Sequence, residues 1–69
     1  MQMIPASSSN LSAVGYDPSD STFVVRFRNG TTYKYLRVPQ TLFDALVRAP
    51  SKGAFFNENI KERFQYLRV

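Results

Sequence analysis

The chain of 69 residues contains no cysteine, no histidine and no tryptophan. The first two absences remove the usual ligands of a structural zinc site and the usual base that activates a serine or cysteine nucleophile. They also remove disulfides as a source of stability, so apolar packing has to stabilise so short a chain. The sequence therefore predicts a protein that is not an enzyme and that uses no cofactor and no metal.

Long apolar runs are also missing. No segment approaches the roughly 20 apolar residues that a membrane span requires, and residues 1–5 lack the basic and long apolar regions of a signal peptide. Together with the lack of cysteine, this predicts a cytoplasmic protein with no membrane partner. The length predicts one domain over residues 1–69, with residues 1–8 as a loosely ordered lead-in.

Acidic residues are few and dispersed. Asp17 and Asp20 fall in a predicted turn, and Glu58 and Glu62 fall on one face of a predicted helix. Either pair has the composition of an acid–base site, but a solvated turn and a solvated helix face are the favoured interpretations. The three glycines are isolated and form no phosphate-binding loop, so no small-molecule substrate is evident.

Aromatic residues and basic charge are abundant by contrast. Six phenylalanines and four tyrosines supply large apolar surfaces for a small core. Nine basic residues against five acidic ones give a net charge of +4. A basic balance on a small domain favours a polyanionic partner such as nucleic acid.

Alternation of apolar and polar residues predicts three strands, over residues 11–16, 22–28 and 31–38. Asn29 and Gly30 both tolerate the positive φ of a two-residue hairpin turn and separate the last two strands.

Pro39 is typical of a first helical turn, and the apolar stripe that follows predicts a helix ending at Pro50. A second helix is predicted from about Ala54. Residues 64–69 fit either more helix or a short strand. The predicted fold class is α+β, with a small antiparallel sheet of three strands, or four if the C-terminus is a strand, and two short helices packed on one face.

The two-residue turn fixes a register in which Arg26 lies opposite Tyr33 and Val24 lies opposite Tyr35. One face of the hairpin would then be apolar. The other would be both aromatic and cationic, and we call it the predicted aromatic–basic face. It comprises Val24, Arg26, Arg28, Tyr33, Tyr35 and Arg37.

Tyrosines beside arginines suit single-stranded RNA, because rings stack on bases while cations contact phosphates. Two alternatives stay open at this point. The tyrosines stabilise the sheet through contacts with the guanidinium groups alone, or they form an interface with another protein or a second copy of the chain.

The ordered set of motifs resembles the KTSC domain, a short module at the C-terminus of some lysyl-tRNA synthetases and in free-standing bacterial or phage proteins. The resemblance covers residues 8 to about 66, with Phe64 in a place where the family usually has tyrosine. The matching motifs are Ser8-Ser9, Val14-Gly15-Tyr16-Asp17, Gly30-x-x-Tyr33-Lys34-Tyr35, Val38-Pro39, Leu46-x-x-Ala49, Ser51-Lys52-Gly53 and Ile60-Lys61.

The resemblance implies a stand-alone member of a family whose function is unestablished, with RNA binding suggested by the attachment to a synthetase. The residues themselves favour a non-catalytic binding module. The resemblance also offers Ser51 as the N-cap of the second helix. The expected partners are RNA, either tRNA or single-stranded, or another protein or second copy of the chain. The candidate nucleic-acid contacts are Arg26, Arg28, Tyr33, Lys34, Tyr35, Arg37 and Lys52.

Overall fold

The computed structural model describes residues 3–6 and 8–69. These residues form one antiparallel sheet and two helices. In chain order the elements are β1 (Met3–Pro5), β2 (Leu11–Asp17), β3 (Thr22–Phe27), β4 (Thr32–Tyr35), α1 (Gln40–Arg48), α2 (Lys52–Asn59) and β5 (Tyr66–Arg68). The strands lie in the order β1-β2-β3-β4-β5, so each pairs with its neighbour in sequence. No helix in the described part of the chain is long and apolar enough to cross a membrane.

The α+β class with two helices is confirmed, but the predicted number of strands is wrong because the sheet has five. β1 lies in the segment predicted to be a loose lead-in and pairs with β2. Met1, Gln2 and Ser7 of that lead-in lie outside the described residues. β5 pairs with β4, so the strand alternative holds for the C-terminus. β1 has three residues, too few for an alternating pattern to identify it, whereas β5, also of three residues, matches one of the two alternatives for the C-terminus.

The core lies between the helices and one face of the sheet. Buried side chains of the two helices cluster with buried side chains of the three central strands. The largest fully buried ones include Phe23 of β3, Leu46 of α1 and Phe56 of α2. This face is called the helix-side face below, and the opposite one the outer face.

Prolines and one serine set the ends of the helices. The carbonyl of Pro39 accepts hydrogen bonds from the amides of Leu42 and Phe43 in the first turn of α1. The Ser51 hydroxyl accepts a hydrogen bond from the amide of Ala54 (3.3 Å), which confirms it as the N-cap of α2. The second helix therefore begins at Lys52, two residues before the predicted start.

The β3–β4 turn has a three-residue loop instead of the predicted two. The amide of Phe27 donates to the carbonyl of Thr31 (2.8 Å), and the amide of Gly30 donates to the carbonyl of Phe27 (3.0 Å). Gly30 has a φ of +92°, which L side chains rarely adopt. A turn followed by one residue of positive φ is the usual three-residue hairpin connection. The extra loop residue shifts the strand register by one.

Candidate binding site

The observed register places both Tyr33 and Tyr35 on the face of the sheet opposite to the one predicted. Phe23 lies opposite Tyr35, and Val25 lies opposite Tyr33. Because directly opposed residues share a face, both tyrosines lie on the helix-side face with the core. The predicted register is wrong, and with it the grouping of both tyrosines with Arg26 on one face.

The outer face carries two of the predicted cationic contacts. Arg26 and Lys34 are both exposed there, opposite Thr32 and Val24 respectively. Val24 itself is only 6% exposed. This face therefore offers charge without an adjacent aromatic platform from the hairpin.

The other three predicted cationic residues lie outside the paired strands of the hairpin. Arg28 lies in the hairpin loop, where its Nε donates to the carbonyl of Ser8 (2.7 Å). Arg37 is exposed just beyond β4 with a φ of +58°. Lys52 is the first residue of α2 and is half-buried. Their role as nucleic-acid contacts stays a prediction.

Tyr35 is a core residue. Its side chain is 3% exposed, and its ring packs edge-on against Phe56 with centroids 5.5 Å apart. Burial raises the pKa of the Tyr35 hydroxyl above its ordinary value, and the neighbouring hydroxyls of Tyr66 and Tyr33 raise the pKa further. The neutral hydroxyl is therefore the form that the fold favours.

An aromatic groove opens beside these tyrosines, between the β4–β5 end of the sheet and the segment that follows α2. Its volume is about 240 Å³. That size accommodates one ring-sized group and falls below the usual range for pockets that hold drug-sized ligands. Its lining residues are Phe27, Tyr33, Tyr35, Lys61, Glu62 and Tyr66.

The rings of the groove form a connected set. Tyr66 packs edge-on against Tyr33 (centroids 5.4 Å apart) and at a tilt against Tyr35 (5.2 Å). Phe27 packs edge-on against Tyr33 on its other side (5.7 Å). Tyr66 is 54% exposed, so its ring presents an accessible surface while its neighbours hold its position.

Charged side chains stand at the rim of the groove. Lys61 and Glu62 line it directly, and both residues are exposed. Arg68 lies opposite Tyr33 in the β4–β5 pair and so emerges on the same face as the rings. The groove lining thus includes one cation and one carboxylate beside the aromatic rings, and Arg68 adds a second cation on the same face of the sheet.

Four of the six groove residues were absent from the contacts predicted from the sequence: Phe27, Lys61, Glu62 and Tyr66. A usable signal was present, because Phe64, Tyr66 and Arg68 alternate along the chain and share one side if residues 64–69 are a strand. Placing that strand beside Tyr33 and Tyr35 requires the tertiary structure. The groove therefore keeps the predicted tyrosines and surrounds them with different charged residues.

Asp17, of the predicted turn pair, is held by hydrogen bonds within its own turn. Asp17 accepts hydrogen bonds from the hydroxyl (2.7 Å) and the amide (3.0 Å) of Ser19. The side-chain bond first, and the backbone bond next, lower the pKa of Asp17. A lowered pKa favours a permanently charged turn residue over a general acid. Among residues 3–6 and 8–69, no group of three potential ligands is placed to hold a metal ion.

Comparison with known proteins places this geometry in one family. The KTSC domain matches residues 7–64 of the chain. A KTSC domain protein from Yersinia pestis, known from its crystal structure, is 39% identical to the chain and superposes with a TM-score of 0.93, covering 99% of this chain and 96% of that one.

Two kinds of relatives share the sequence. A free-standing protein of Tsukamurella paurometabola is 44% identical over 63 residues, 91% of this chain and 94% of that protein. A lysine–tRNA ligase of a Nostoc species is 39% identical over 56 residues, which are 81% of this chain but 10% of the ligase. The chain belongs to the KTSC domain family.

Proposed function

We propose that this KTSC domain is a non-catalytic module that binds single-stranded RNA, with one base stacked in the aromatic groove. The observation that carries the proposal is the half-exposed ring of Tyr66, held against Tyr33 and Tyr35 with Lys61 at the rim. An exposed ring with a fixed orientation is what a nucleobase needs for stacking.

In the same proposal, charged side chains near the groove bind the phosphates and the edge of the base. In this proposal Lys61, which lines the groove, and Arg68, which lies on the same face, contact the phosphates on either side of the stacked base. Glu62 is an acceptor only, so it bonds to a base that carries an amino group, such as cytosine, and repels a base edge that offers only acceptors. We therefore expect cytosine to bind more tightly than uracil.

Relatives with a named activity support an RNA ligand. Lysine–tRNA ligases of three cyanobacteria match the chain at 37–39% identity and are named for an action on tRNA. The part that matches is about a tenth of each ligase. An accessory segment of this size on such an enzyme suits an added RNA contact.

The groove and the outer face cannot contact the same short segment of RNA, because the sheet lies between them. Arg26 and Lys34 point away from the groove. We therefore assign the base contact to the groove, and the outer-face cations serve as an internal comparison. They contribute only to a longer RNA that passes around the edge of the sheet.

The test is an amide-shift titration of the protein with hexanucleotides of cytidine and of uridine at low salt. We expect shifts concentrated on Tyr33, Lys61 and Tyr66, with cytidine binding more tightly. Loss of one stacked base costs about 1–3 kcal/mol, so Tyr66→Ala should weaken binding by about 5- to 150-fold. Tyr66→Phe retains the ring and should bind nearly as well as the original chain.

Lys34→Ala is the matched control, since it removes one exposed cation from the outer face. It should leave hexanucleotide binding within about twofold, whereas Lys61→Ala should weaken binding and reduce its salt dependence. Shifts that cluster on Arg26 and Lys34 instead would move the site to the outer face. An absence of shifts at low salt would refute RNA binding by this domain.

A protein-interaction or homodimerisation module is the second candidate function. It concerns the free edge of β5, the strand that also carries Tyr66 of the groove. Leu67 in β5 and Val69 directly after it are 58% and 70% exposed, although both are apolar. Exposed apolar groups along a sheet edge favour contact with another chain.

A further inference from the structure

β5 is an edge strand of the sheet and pairs only with β4 among the described strands. Its residues are exposed, including the apolar Leu67 and the aromatic Tyr66. An edge strand of this kind presents backbone donors and acceptors together with unburied apolar surface. It is a template for one more strand.

The hydrogen bonds to β4 identify which backbone groups of β5 face outward. The carbonyl of Gln65 accepts from the amide of Leu36 (2.9 Å), and the amide of Val69 donates to the carbonyl of Thr32 (2.8 Å). The backbone amides and carbonyls of residues 65 and 69 therefore point towards β4. Backbone groups alternate in direction along an antiparallel strand. The amide and carbonyl of Leu67 therefore also point towards β4, whereas those of Tyr66 and Arg68 point away from the sheet.

We propose that β5 pairs antiparallel with β5 of a second copy of the chain, across a twofold axis at Leu67. In this register Tyr66 of each copy lies opposite Arg68 of the partner subunit. Both amides and both carbonyls that face outward on each copy then find a partner, giving four intermolecular backbone hydrogen bonds. A twofold axis at Tyr66 or at Arg68 would pair only half of these groups within β5.

The side chains favour the same register. Opposing Tyr66 and Arg68 brings a guanidinium next to an aromatic ring on each side of the axis. Leu67 faces Leu67 of the partner subunit in a non-hydrogen-bonded pair, the closer type of pair, and buries apolar surface that is 58% exposed in the single chain. An axis at Arg68 would instead place two arginines directly opposite each other.

The opposite edge of the sheet is less suited to pairing. The amide of Ala6 donates to the carbonyl of Ser12 (3.0 Å), so by alternation Pro5 of β1 faces outward. Proline has no amide hydrogen to donate, and a proline on the outward side of an edge strand discourages strand addition. β5 contains no proline. The difference between the edges favours a closed dimer over an open chain of subunits.

The interface is short, so the dimer is expected to be weak and dependent on concentration. It does not depend on RNA binding. It does add a residue to the groove, since Arg68 of the partner subunit comes to lie beside Tyr66, which lines the groove.

Cysteine cross-linking tests the register directly, because the chain has no cysteine of its own. Opposed residues of a non-hydrogen-bonded pair lie about 4.5 Å apart between Cα atoms, within reach of a disulfide. Leu67→Cys should therefore form a disulfide-linked dimer under mild oxidation. Gln65→Cys should not cross-link with itself, because its equivalents would lie about 14 Å apart, four residues along the strands.

Sedimentation over a concentration series supplies the second test. The average mass should rise from 7.9 kDa towards twice that value as the concentration increases. Arg68→Pro removes an outward donor without removing a bond to β4, so it should abolish the rise while the amide spectrum of the core persists. A constant mass up to millimolar concentration, or equal cross-linking of the two cysteine variants, would overturn the proposal.

Discussion

Tyr35 and Tyr66 are neighbours in opposite situations. Their ring centroids are 5.2 Å apart, and the two residues are directly opposed in the β4–β5 pair. Tyr35 is 3% exposed, whereas Tyr66 is 54% exposed. The same side chain thus stabilises the core in one strand and offers a surface in the next.

The difference arises from what covers each ring. Phe56 of α2 packs on Tyr35, and Phe23 contacts the same ring (6.2 Å between centroids). α2 ends at Asn59, and the chain reaches β5 through the exposed residues Lys61–Arg63. Residue type alone therefore does not distinguish a buried aromatic side chain from an exposed one, while the position of a helix does.

Among substitutions that test the contrast between the buried and the exposed ring, the largest loss of stability is expected at Phe56. Its ring is fully buried and contacts Phe23, Phe27 and Tyr35. Phe56→Ala should lower the free energy of unfolding by about 3–5 kcal/mol, as judged by urea denaturation. A domain of this size has little stability to lose, so Phe56→Leu supplies a milder variant that should still fold.

Tyr66→Ala is the matched control for Phe56, because it removes an aromatic ring of similar size from the exposed side of the same cluster. It should change the free energy of unfolding by no more than about 0.5–1 kcal/mol. Equal destabilisation by the two variants would show that the Tyr66 ring belongs to the core, and the groove would lose its accessible platform.

A smaller effect on the free energy of unfolding is expected at Gly30. This residue ends the three-residue loop that sets the β3–β4 register and so places Tyr35 on the buried face. A methyl group at Gly30 would meet nothing within 4 Å, so a substitution there tests the backbone alone. Gly30→Ala should cost about 1–2 kcal/mol because its φ of +92° is strained for an L residue.

Gly30→Asn is the companion variant, since asparagine tolerates positive φ better than alanine does, and it should cost less. Thermal unfolding followed by circular dichroism compares the two. If alanine cost no more than asparagine, the three-residue loop would not be what holds Tyr35 opposite Phe23.

The smallest expected effect is the pH dependence of stability that arises from Tyr35. Burial raises its pKa in the folded chain above the unfolded value of about 10. Its contribution to stability is therefore fully present below about pH 10 and is lost as the pH rises through the folded pKa. Above about pH 10 the unfolding midpoint in urea should fall more steeply for the original chain than for Tyr35→Phe. Parallel curves for the two proteins would contradict a protected hydroxyl.

Much of the fold was predictable because its signals are local. The alternation in β2 and β3 identified both strands, Pro39 and Pro50 bracketed α1, and Ser51 capped α2 as expected. β1 and β5 were harder, because three-residue strands form only where a neighbouring strand supplies their hydrogen bonds. Met3–Pro5 carries no alternating pattern that would have revealed β1.

The candidate site was half predictable. Tyr33 and Tyr35 were identified as the place to look, and both line the groove. Their face was predicted wrongly because Asn29-Gly30 fits a two-residue loop as well as the observed three-residue loop, and one residue reverses every side chain of a strand. Lys61 and Tyr66 join them from segments more than 25 positions later in the chain.

The sequence by itself determined the hairpin, the two helices, the excess of positive charge and an aromatic supply large enough for a core without disulfides. The tertiary structure decided which tyrosine is buried, which charged residues line the groove and which strands form the edges of the sheet. The reason is that turn chemistry and periodicity act over a few residues. Burial of one face of a strand depends on a helix and an edge strand that are distant in the chain.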